Sequence, residues 1–197
     1  MTFFGTGTNN FQDFFPGAPP YMTEISRPGA LALDSAGILA VMEQDWNLLL
    51  AANTSTGPQT LAGVSVGAGL VEHIAGDLSR RRGFNGDGVP ARFALFEEPQ
   101  YLAIRRDDAS GIQDVYVSDR RQLRIRLVTA VGTEPFLYTW VGTGQAGFNG
   151  EGIPPENVLA AEPLGIAVVK PASGTDTKTY LYFADGRNRR VRRQVLD

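Results

Sequence analysis

Short apolar runs separated by glycine turns and polar loops follow one another along most of the chain. The clearest set spans residues 137–197, where an apolar run ends at Gly142-Thr143-Gly144, a loop rich in Gly and Asn follows, and three more apolar runs come after it. Apolar runs of about four to eight residues bounded by Gly, Pro, Asn and Asp are typical of β-strands. The pattern therefore predicts a chain of short strands and turns.

Residues 71–131 repeat the same order of strands and loops. The repeated positions lie 64 to 66 residues apart, and they are 83–88 with 147–152, Pro99 with Pro163, and Asp119 with Asp185. In each unit one strand precedes a long loop, which contains a predicted helical turn (91–96 or 154–161), and three strands follow it. Such a repeat is typical of architectures that stack one antiparallel sheet per unit.

The first unit matches the other two less closely. Residues 2–7 match 139–144 and residues 28–33 match 163–168, but residues 38–50 lack the acidic and arginine positions of the later units. We predict one domain over residues 1–197, with repeat units at about 2–60, 71–131 and 137–197 and a flexible connection at 54–69.

Three motifs resemble the NHL repeat. They are Gly-Phe-Asn-Gly-Asp-Gly at 83–88, Val-Tyr-Val-Ser-Asp at 115–119 and Gln-Leu-Arg-Ile-Arg at 122–126, with related sequences at 147–152 and 182–192. NHL repeats build β-propellers, typically with six blades, and the resemblance covers nearly the whole chain. It implies an all-β fold of four-stranded antiparallel blades, about three in number, which is half or part of a six-bladed propeller.

Three blades do not close a ring, and the ends of the repeat suggest two explanations. Residues 2–5 are predicted to be an outermost blade strand, whereas the third unit ends after the strand at 190–196 without a fourth. Two copies of the chain could close a six-bladed ring as a homodimer, each N-terminal strand completing the last blade of the other copy. Alternatively, the remaining blades belong to a longer chain, which the break at a repeat boundary favours.

Composition narrows the class of protein. The 197 residues include 23 Gly and 12 Pro but no Cys, which excludes disulfides, thiolate metal sites and cysteine nucleophiles. We find no signal peptide and no apolar run near the roughly 18 residues of a membrane span. No membrane association is expected, and the default location is cytoplasmic unless the chain is a fragment of an exported protein.

The charge is nearly balanced but unevenly placed. The net charge is −3; residues 1–71 contain one basic and five acidic side chains, and the other 17 basic and 16 acidic side chains lie in residues 72–197. Arginines cluster at 80–82, 120–126 and 187–193, which we interpret as solvated loops and edge strands. Nucleic acid is therefore not expected as a partner, and an RNA-binding NHL propeller with a basic face is kept as an alternative.

The candidate binding residues are predicted to share one face. In an antiparallel blade, the loop between the second and third strands and the loop to the next blade emerge at the same end. This face is predicted to contain Phe84, Asn85, Asp87, Arg120, Arg121, Phe148, Asn149, Glu151, Arg187 and Arg189. Exposed aromatic side chains beside Arg and Asn are typical of binding surfaces. The alternative is that both Phe side chains plug their blades, and that Asp119 and Asp185 cap turns and pair with Arg124 and Arg190.

Chemistry at this face is not expected. Related six-bladed propellers include metal-dependent lactonases and lyases, so a metal-dependent hydrolase or lyase is an alternative, but the sole histidine, His73, lies on a predicted outermost strand. We assign no catalytic residue, no metal ligand and no cofactor, apart from a calcium hypothesis at Asn85 and Asp87. The sequence thus predicts a scaffold that binds a protein or a small ligand through this face.

Overall fold

The computed structural model describes residues 2–8, 15–171 and 177–196; residues 9–14, 172–176 and 197 of the predicted repeat units lie outside the described part. The described residues form fourteen strands: β1 (Pro28–Leu33), β2 (Ile38–Glu43), β3 (Leu48–Asn53), β4 (Gln59–Leu61), β5 (Val64–Val66), β6 (Val71–Ala75), β7 (Val89–Pro90), β8 (Pro99–Asp107), β9 (Ile112–Asp119), β10 (Arg124–Val131), β11 (Glu134–Val141), β12 (Pro163–Val169), β13 (Tyr180–Asp185) and β14 (Arg190–Val195). Three 3₁₀ helices, Pro20–Met22, Ala91–Phe93 and Pro155–Asn157, lie in the loops, and the last two fall within the predicted helical turns.

The strands form three antiparallel sheets that follow one another along the chain. Blade 1 has the order β1-β2-β3-β6, and blade 2 the order β8-β9-β10-β11 with the short β7 added outside β11. Blade 3 has the order β12-β13-β14 among the described residues. In each blade, the first strand carries a register shift just after its proline.

The blades pack face to face through apolar cores. Between blades 1 and 2, Met42 and Leu49 lie with Phe96 and Val117, all buried. A second core between blades 2 and 3 contains Tyr116, Ile125, Val158, Leu181 and Phe183. Full burial of one such side chain stabilises the fold by roughly 1.5–3 kcal/mol, so these cores hold the blades together. The fold is a partial β-propeller in which no sheet of described residues closes on itself, as the sequence predicts.

The segment 54–69, predicted as a flexible connection, contains the β4–β5 hairpin. Leu61 and Val66 are buried in the core between blades 1 and 2. The side chain of Asn53 organises this segment, because its Nδ2 donates to the carbonyls of Gly57 at 2.9 Å and Val66 at 2.8 Å. The connection is therefore an ordered part of the blade 1–blade 2 interface.

Residues 2–5 are not a strand, which corrects the prediction of an outermost strand there. A strand needs a partner strand, and no strand of the described residues pairs with this segment. The end of the segment nevertheless has the same hydrogen bond as the other two units. The N–H groups of Gly5, Gly76 and Gly142 each donate, at 3.0 Å, to the carbonyl of the first residue of the following 3₁₀ helix. These glycines have φ values of 98°, 104° and 105°. The N-terminal segment thus leads into blade 1 as the outer strands β6 and β11 lead into blades 2 and 3.

The first unit keeps its acidic position, contrary to the prediction. Glu43 ends β2 as Asp119 ends β9 and Asp185 ends β13, with a four-residue turn after each. Its carboxylate is buried and accepts from the N–H groups of Arg27 at 2.6 Å and Trp46 at 2.7 Å. Only the arginine positions are lost, because Leu48 opens β3 where Arg124 opens β10.

Candidate functional site

The turns at 44–47, 120–123 and 186–189 lie at one end of the three blades. The glycine-rich loops 83–88 and 147–152 lie against the second and third of these turns. Gln122 Nε2 donates to the carbonyl of Gly83, and Asn188 Nδ2 donates to the carbonyl of Gly147 at 2.6 Å. The loops and turns predicted to share a face therefore do so, and we call these five segments the loop face.

Phe84 and Phe148 lie beneath arginine side chains of their own blades. The distances from guanidinium carbon to ring centroid are 4.1 Å for Arg124 and 4.8 Å for Arg126 over Phe84, and 3.9 Å for Arg190 and 5.2 Å for Arg192 over Phe148. Both distances per ring lie within the range of cation–π attraction. Phe84 and Phe148 are nevertheless 44% and 37% exposed, so the rings are not sealed inside their blades, and a binding role for them stays a prediction.

Asn85 and Asn149 each close their loop in the same way. In both, Nδ2 donates to the carbonyl eight positions later, at 2.9 and 2.8 Å, and Oδ1 accepts from the N–H ten positions later, at 3.0 Å. Both polar ends of each amide are thus bonded to the loop that leads to the next blade.

The acidic positions of the two loops differ in their surroundings. Asp87 and Glu151 are both exposed, but Asp87 Oδ1 accepts from Arg126 Nη2 at 3.0 Å and from Thr139 Oγ1 at 2.9 Å. A calcium ion at Asn85 and Asp87 would compete with these bonds, so the calcium hypothesis stays a prediction without a preformed cage of free oxygens.

A chain of ion pairs crosses the loop face from blade 2 to blade 3. Glu98 binds Arg121 Nε at 2.9 Å and Arg120 Nη1 at 2.8 Å, and Glu162 Oε1 binds Arg120 Nη2 at 3.1 Å and Arg187 Nη2 at 2.9 Å. The hydrogen bond that Arg120 donates to Glu98, the charge of Glu98 and the charge of Glu162 raise the pKa of Arg120. Exposed pairs of this kind add little stability one by one, so their main effect is to orient the arginines.

Two cavities open on the loop face, one at each junction between blades. The cavity between blades 1 and 2 has a volume of about 430 Å³, and its charged lining residues are Arg27, Asp45, Arg82, Glu97, Glu98, Arg120 and Arg121. The cavity between blades 2 and 3 has a volume of about 340 Å³, and its charged lining residues are Arg120, Arg121, Glu162 and Arg187. We call them the first and the second cavity; both have donors and acceptors side by side in their walls.

The ten predicted site residues fall into two groups. Arg120, Arg121 and Arg187 come together around the cavities, and Arg189 is an exposed turn residue with a φ of 54°. The other six, Phe84, Asn85, Asp87, Phe148, Asn149 and Glu151, belong to the two glycine-rich loops and line neither cavity. The loop face therefore has an arginine-lined part and a separate part made by the glycine-rich loops.

Arg27, Glu98 and Glu162 also line the cavities, although the sequence pattern did not mark them as site residues. All three directly precede the proline that opens the first strand of their blade. This shared position is the signal that could have revealed them. The residue before the first strand lies beside the turn that joins the second and third strands of the same blade.

Asp119 and Asp185 cap turns as expected, but the expected pairing with Arg124 and Arg190 is wrong. Asp185 Oδ2 pairs with Arg192 Nη1 at 3.3 Å, and Arg190 lies over Phe148 instead. Arg124 likewise lies over its Phe ring and donates to the carbonyl of Thr143 at 2.6 Å. In blade 3 the carboxylate thus pairs with the second arginine of the strand, Arg192, whereas in blade 2 the corresponding Arg126 bonds Gln122 and Asp87.

Burial shifts the titration of two groups beneath the loop face. Desolvation raises the pKa of Asp119, while the N–H groups of Glu98, Glu97 and Gln122 act in the opposite direction. Desolvation also lowers the pKa of Arg126 to about 10, although Asp87 partly offsets the effect. At neutral pH Arg126 stays charged and donates to Gly86, Asp87 and Gln122, so it ties the loop to the blade.

The position of the single histidine and the grouping of acidic side chains bear on the metal-dependent alternative. His73 lies on β6, the outermost strand of blade 1 as predicted, and burial lowers its pKa. Within residues 2–8, 15–171 and 177–196, no three His, Cys, Asp or Glu side chains are grouped to hold a metal ion. The helices of this described part are three-residue 3₁₀ turns, and none could cross a membrane.

Comparisons with known proteins support the fold. No protein-family model matches the chain, and no curated protein sequence matches it. Among solved structures, the chain is similar to an auxiliary nutrient binding protein from Bacteroides thetaiotaomicron VPI-5482, with a TM-score of 0.59 and 17% sequence identity over 83% of this chain. The chain spans 36% of that protein. The likeness shows a shared propeller-like fold, and membership of the NHL family stays a prediction.

Proposed function

We propose that this protein is a non-catalytic binding scaffold that takes a small, neutral, polyhydroxylated ligand, such as a carbohydrate or polyol, in the first cavity. The observation behind the proposal is the pairing of opposite charges in the wall of that cavity. Four arginines and three carboxylates lie around about 430 Å³ of space. A volume of this order is typical of small-molecule sites.

The nearly neutral lining favours this class of ligand over others. A guanidinium offers several N–H donors and a carboxylate offers only acceptors, whereas each hydroxyl can both donate and accept. A polyol can satisfy both groups, while an apolar ligand would leave them unpaired at a cost of about 1–3 kcal/mol for each buried group. Of the two partners that the sequence allows, a small ligand fits this concave wall better than a protein surface does.

The RNA alternative is less well supported. Arg120, Arg121 and Arg187 are each paired with Glu98 or Glu162, so the acids offset the positive field that would attract phosphates. The propeller neighbour is described as a nutrient binding protein. This description is in line with a ligand-binding role here, although its likeness concerns the fold.

Isothermal titration calorimetry with a panel of neutral oligosaccharides and polyols tests the proposal. We expect saturable binding that weakens roughly tenfold, or about 1.4 kcal/mol, in Arg121→Ala and in Glu98→Gln. Arg92→Ala removes an arginine of similar exposure that lines neither cavity, and it should leave the affinity unchanged. Absence of binding across the panel, or RNA affinity that falls steeply with salt, would contradict the proposal.

A further inference from the structure

The face of blade 3 that points away from blade 2 is unfinished. Val191 follows the first residue of β14 as Ile125 follows the first residue of β10, so the two are equivalent. Ile125 is fully buried against blade 3, but Val191 is 76% exposed. Tyr182 and Tyr116 show the same contrast, half-buried against 1% exposed. In blade 2 these positions form the contact with the next blade.

The face of blade 1 that points away from blade 2 is also open. Leu31 and Leu33 on β1 are 59% and 65% exposed. Their equivalents in blade 2, paired in the same register with the second strand, are Leu102 and Ile104, which pack in the core between blades 1 and 2. Blades 1 and 2, and blades 2 and 3, pack through the same two kinds of face. The chain exposes one face of each kind, on blade 1 and on blade 3.

The outer edge of blade 3 has an empty position as well. β14 pairs with β13 on one side, and among the described residues no strand lies on its other side. The segment 2–4 occupies the complementary position, because it runs into Gly5 as β11 runs into Gly142. Phe4 packs against Leu48 and Leu50 of blade 1, as expected of an outer-strand residue that faces the next blade.

We propose that two copies of this chain dock head to tail, with the open face of blade 3 of each copy against the open face of blade 1 of the other. Both contacts would repeat the contact between consecutive blades, and the ring would close with six blades. Segment 2–5 of one copy would lie beside β14 of the other and complete the four-stranded blade. A head-to-tail contact that closes in this way yields a defined assembly rather than a filament.

Complementarity argues for a second copy as the occupant. One face offers Leu31 and Leu33 and the other offers Val191 and Val195, so each apolar set has a partner on the same chain. Val191 and Val195 also lie on the same side of β14, because side chains alternate along a strand.

Light scattering after size exclusion tests the proposal directly. We expect a single species near twice 21.3 kDa, which Val191→Asp converts to the monomer. Val131→Asp is the control, because Val131 is also exposed, at 54%, but lies at the β10–β11 turn outside either open face. A monomer, a series of larger oligomers or a dimer insensitive to Val191→Asp would overturn the proposal. Thermal unfolding shows whether Val191→Asp keeps the fold.

Cross-linking gives an independent readout. In blade 2, Ile125 is paired with Val141, and the equivalent pair across the proposed contact is Val191 with Phe4. The chain has no cysteine, so Phe4→Cys and Val191→Cys chains can be mixed and oxidised mildly. We expect a covalent heterodimer from this mixture and little from Phe4→Cys mixed with Val131→Cys. Equal yields from both mixtures would overturn the proposed strand pairing.

Discussion

Glu43 and Asp119 make the same bonds in neighbouring blades. Glu43 accepts from the N–H groups of Arg27 and Trp46, and Asp119 accepts from those of Glu98 at 3.0 Å and Gln122 at 3.3 Å. In both blades, the donors are the residue before the inner-strand proline and the third residue after the carboxylate. In both blades, a buried carboxylate therefore ties the residue before the first strand to the turn between the second and third strands.

Replacing this carboxylate by an amide should destabilise the protein. In Asp119→Asn, an NH₂ group faces backbone N–H donors, and we expect a loss of about 1.5–3 kcal/mol in the free energy of unfolding. Urea denaturation measures the change. Asp108→Asn is the control, because Asp108 is largely exposed and its change should stay within about 0.5 kcal/mol. Equal effects of the two substitutions would contradict the role assigned to Asp119.

Removing the buried guanidinium of Arg126 should have a larger effect. Arg126 has no exposed surface and donates to Gln122, Gly86 and Asp87. We expect Arg126→Leu, which places the residue found at the equivalent position in blade 1, to cost about 3 kcal/mol because several acceptors lose their donor. Denaturant titration beside Arg92→Ala, an exposed arginine, provides the comparison; similar stabilities of the two variants would disprove the prediction.

The glycine that ends each outer strand should not tolerate a side chain. A Cβ on Gly142 would lie 2.5 Å from the carbonyl oxygen of Leu123, and its φ is 105°. Gly150 has a similar φ of 108° but open space around it. We expect Gly150→Ala to lose about 1 kcal/mol from backbone strain and Gly142→Ala to lose roughly 3 kcal/mol or more. Thermal unfolding of both variants separates the steric clash at Gly142 from the backbone strain that both positions share. Equal losses of stability would refute the clash.

The stability of the protein should fall as the pH drops below the usual histidine pKa of 6.5. Burial lowers the pKa of His73 in the folded state, so the unfolded chain binds more protons between 6.5 and that lower value. Acidification through this window therefore favours unfolding, and His73→Gln should remove this part of the pH dependence.

His73 is the single histidine of the chain, so its imidazole NMR signals report this pKa without assignment by mutation. A measured pKa at or above 6.5 would contradict the expected shift. The pH dependence of the melting temperature in the wild type and in His73→Gln provides the second readout.

The fold was largely predictable because apolar runs and turn residues mark strands independently of distant contacts. The β4–β5 hairpin escaped prediction for a local reason. Its two-residue turn, Ala62-Gly63, has φ values of 47° and 83°, a conformation that usually selects Asn-Gly. An alanine in the first position hides this signal, and strands of three residues are too short to show alternation.

The candidate site was predictable only in part because its lining comes from remote segments. Arg120 and Arg187 stand out in turns, but Arg27 and Glu98 reach the first cavity only after the blades have packed. Glu43 was missed because its side chain is one methylene longer than Asp and its neighbours lack arginine. A carboxylate at the end of the second strand is therefore a better marker of this repeat than a strict Asp.

Arg120 belongs to the walls of both cavities, and its guanidinium is bonded to Glu98 on one side and to Glu162 on the other. A ligand that draws Arg120 into one cavity takes a donor away from the other, so the two sites compete for one group. Linkage then requires each ligand to weaken the other by the same factor. The loop face would respond to mixed ligands with negative cooperativity even though no blade moves.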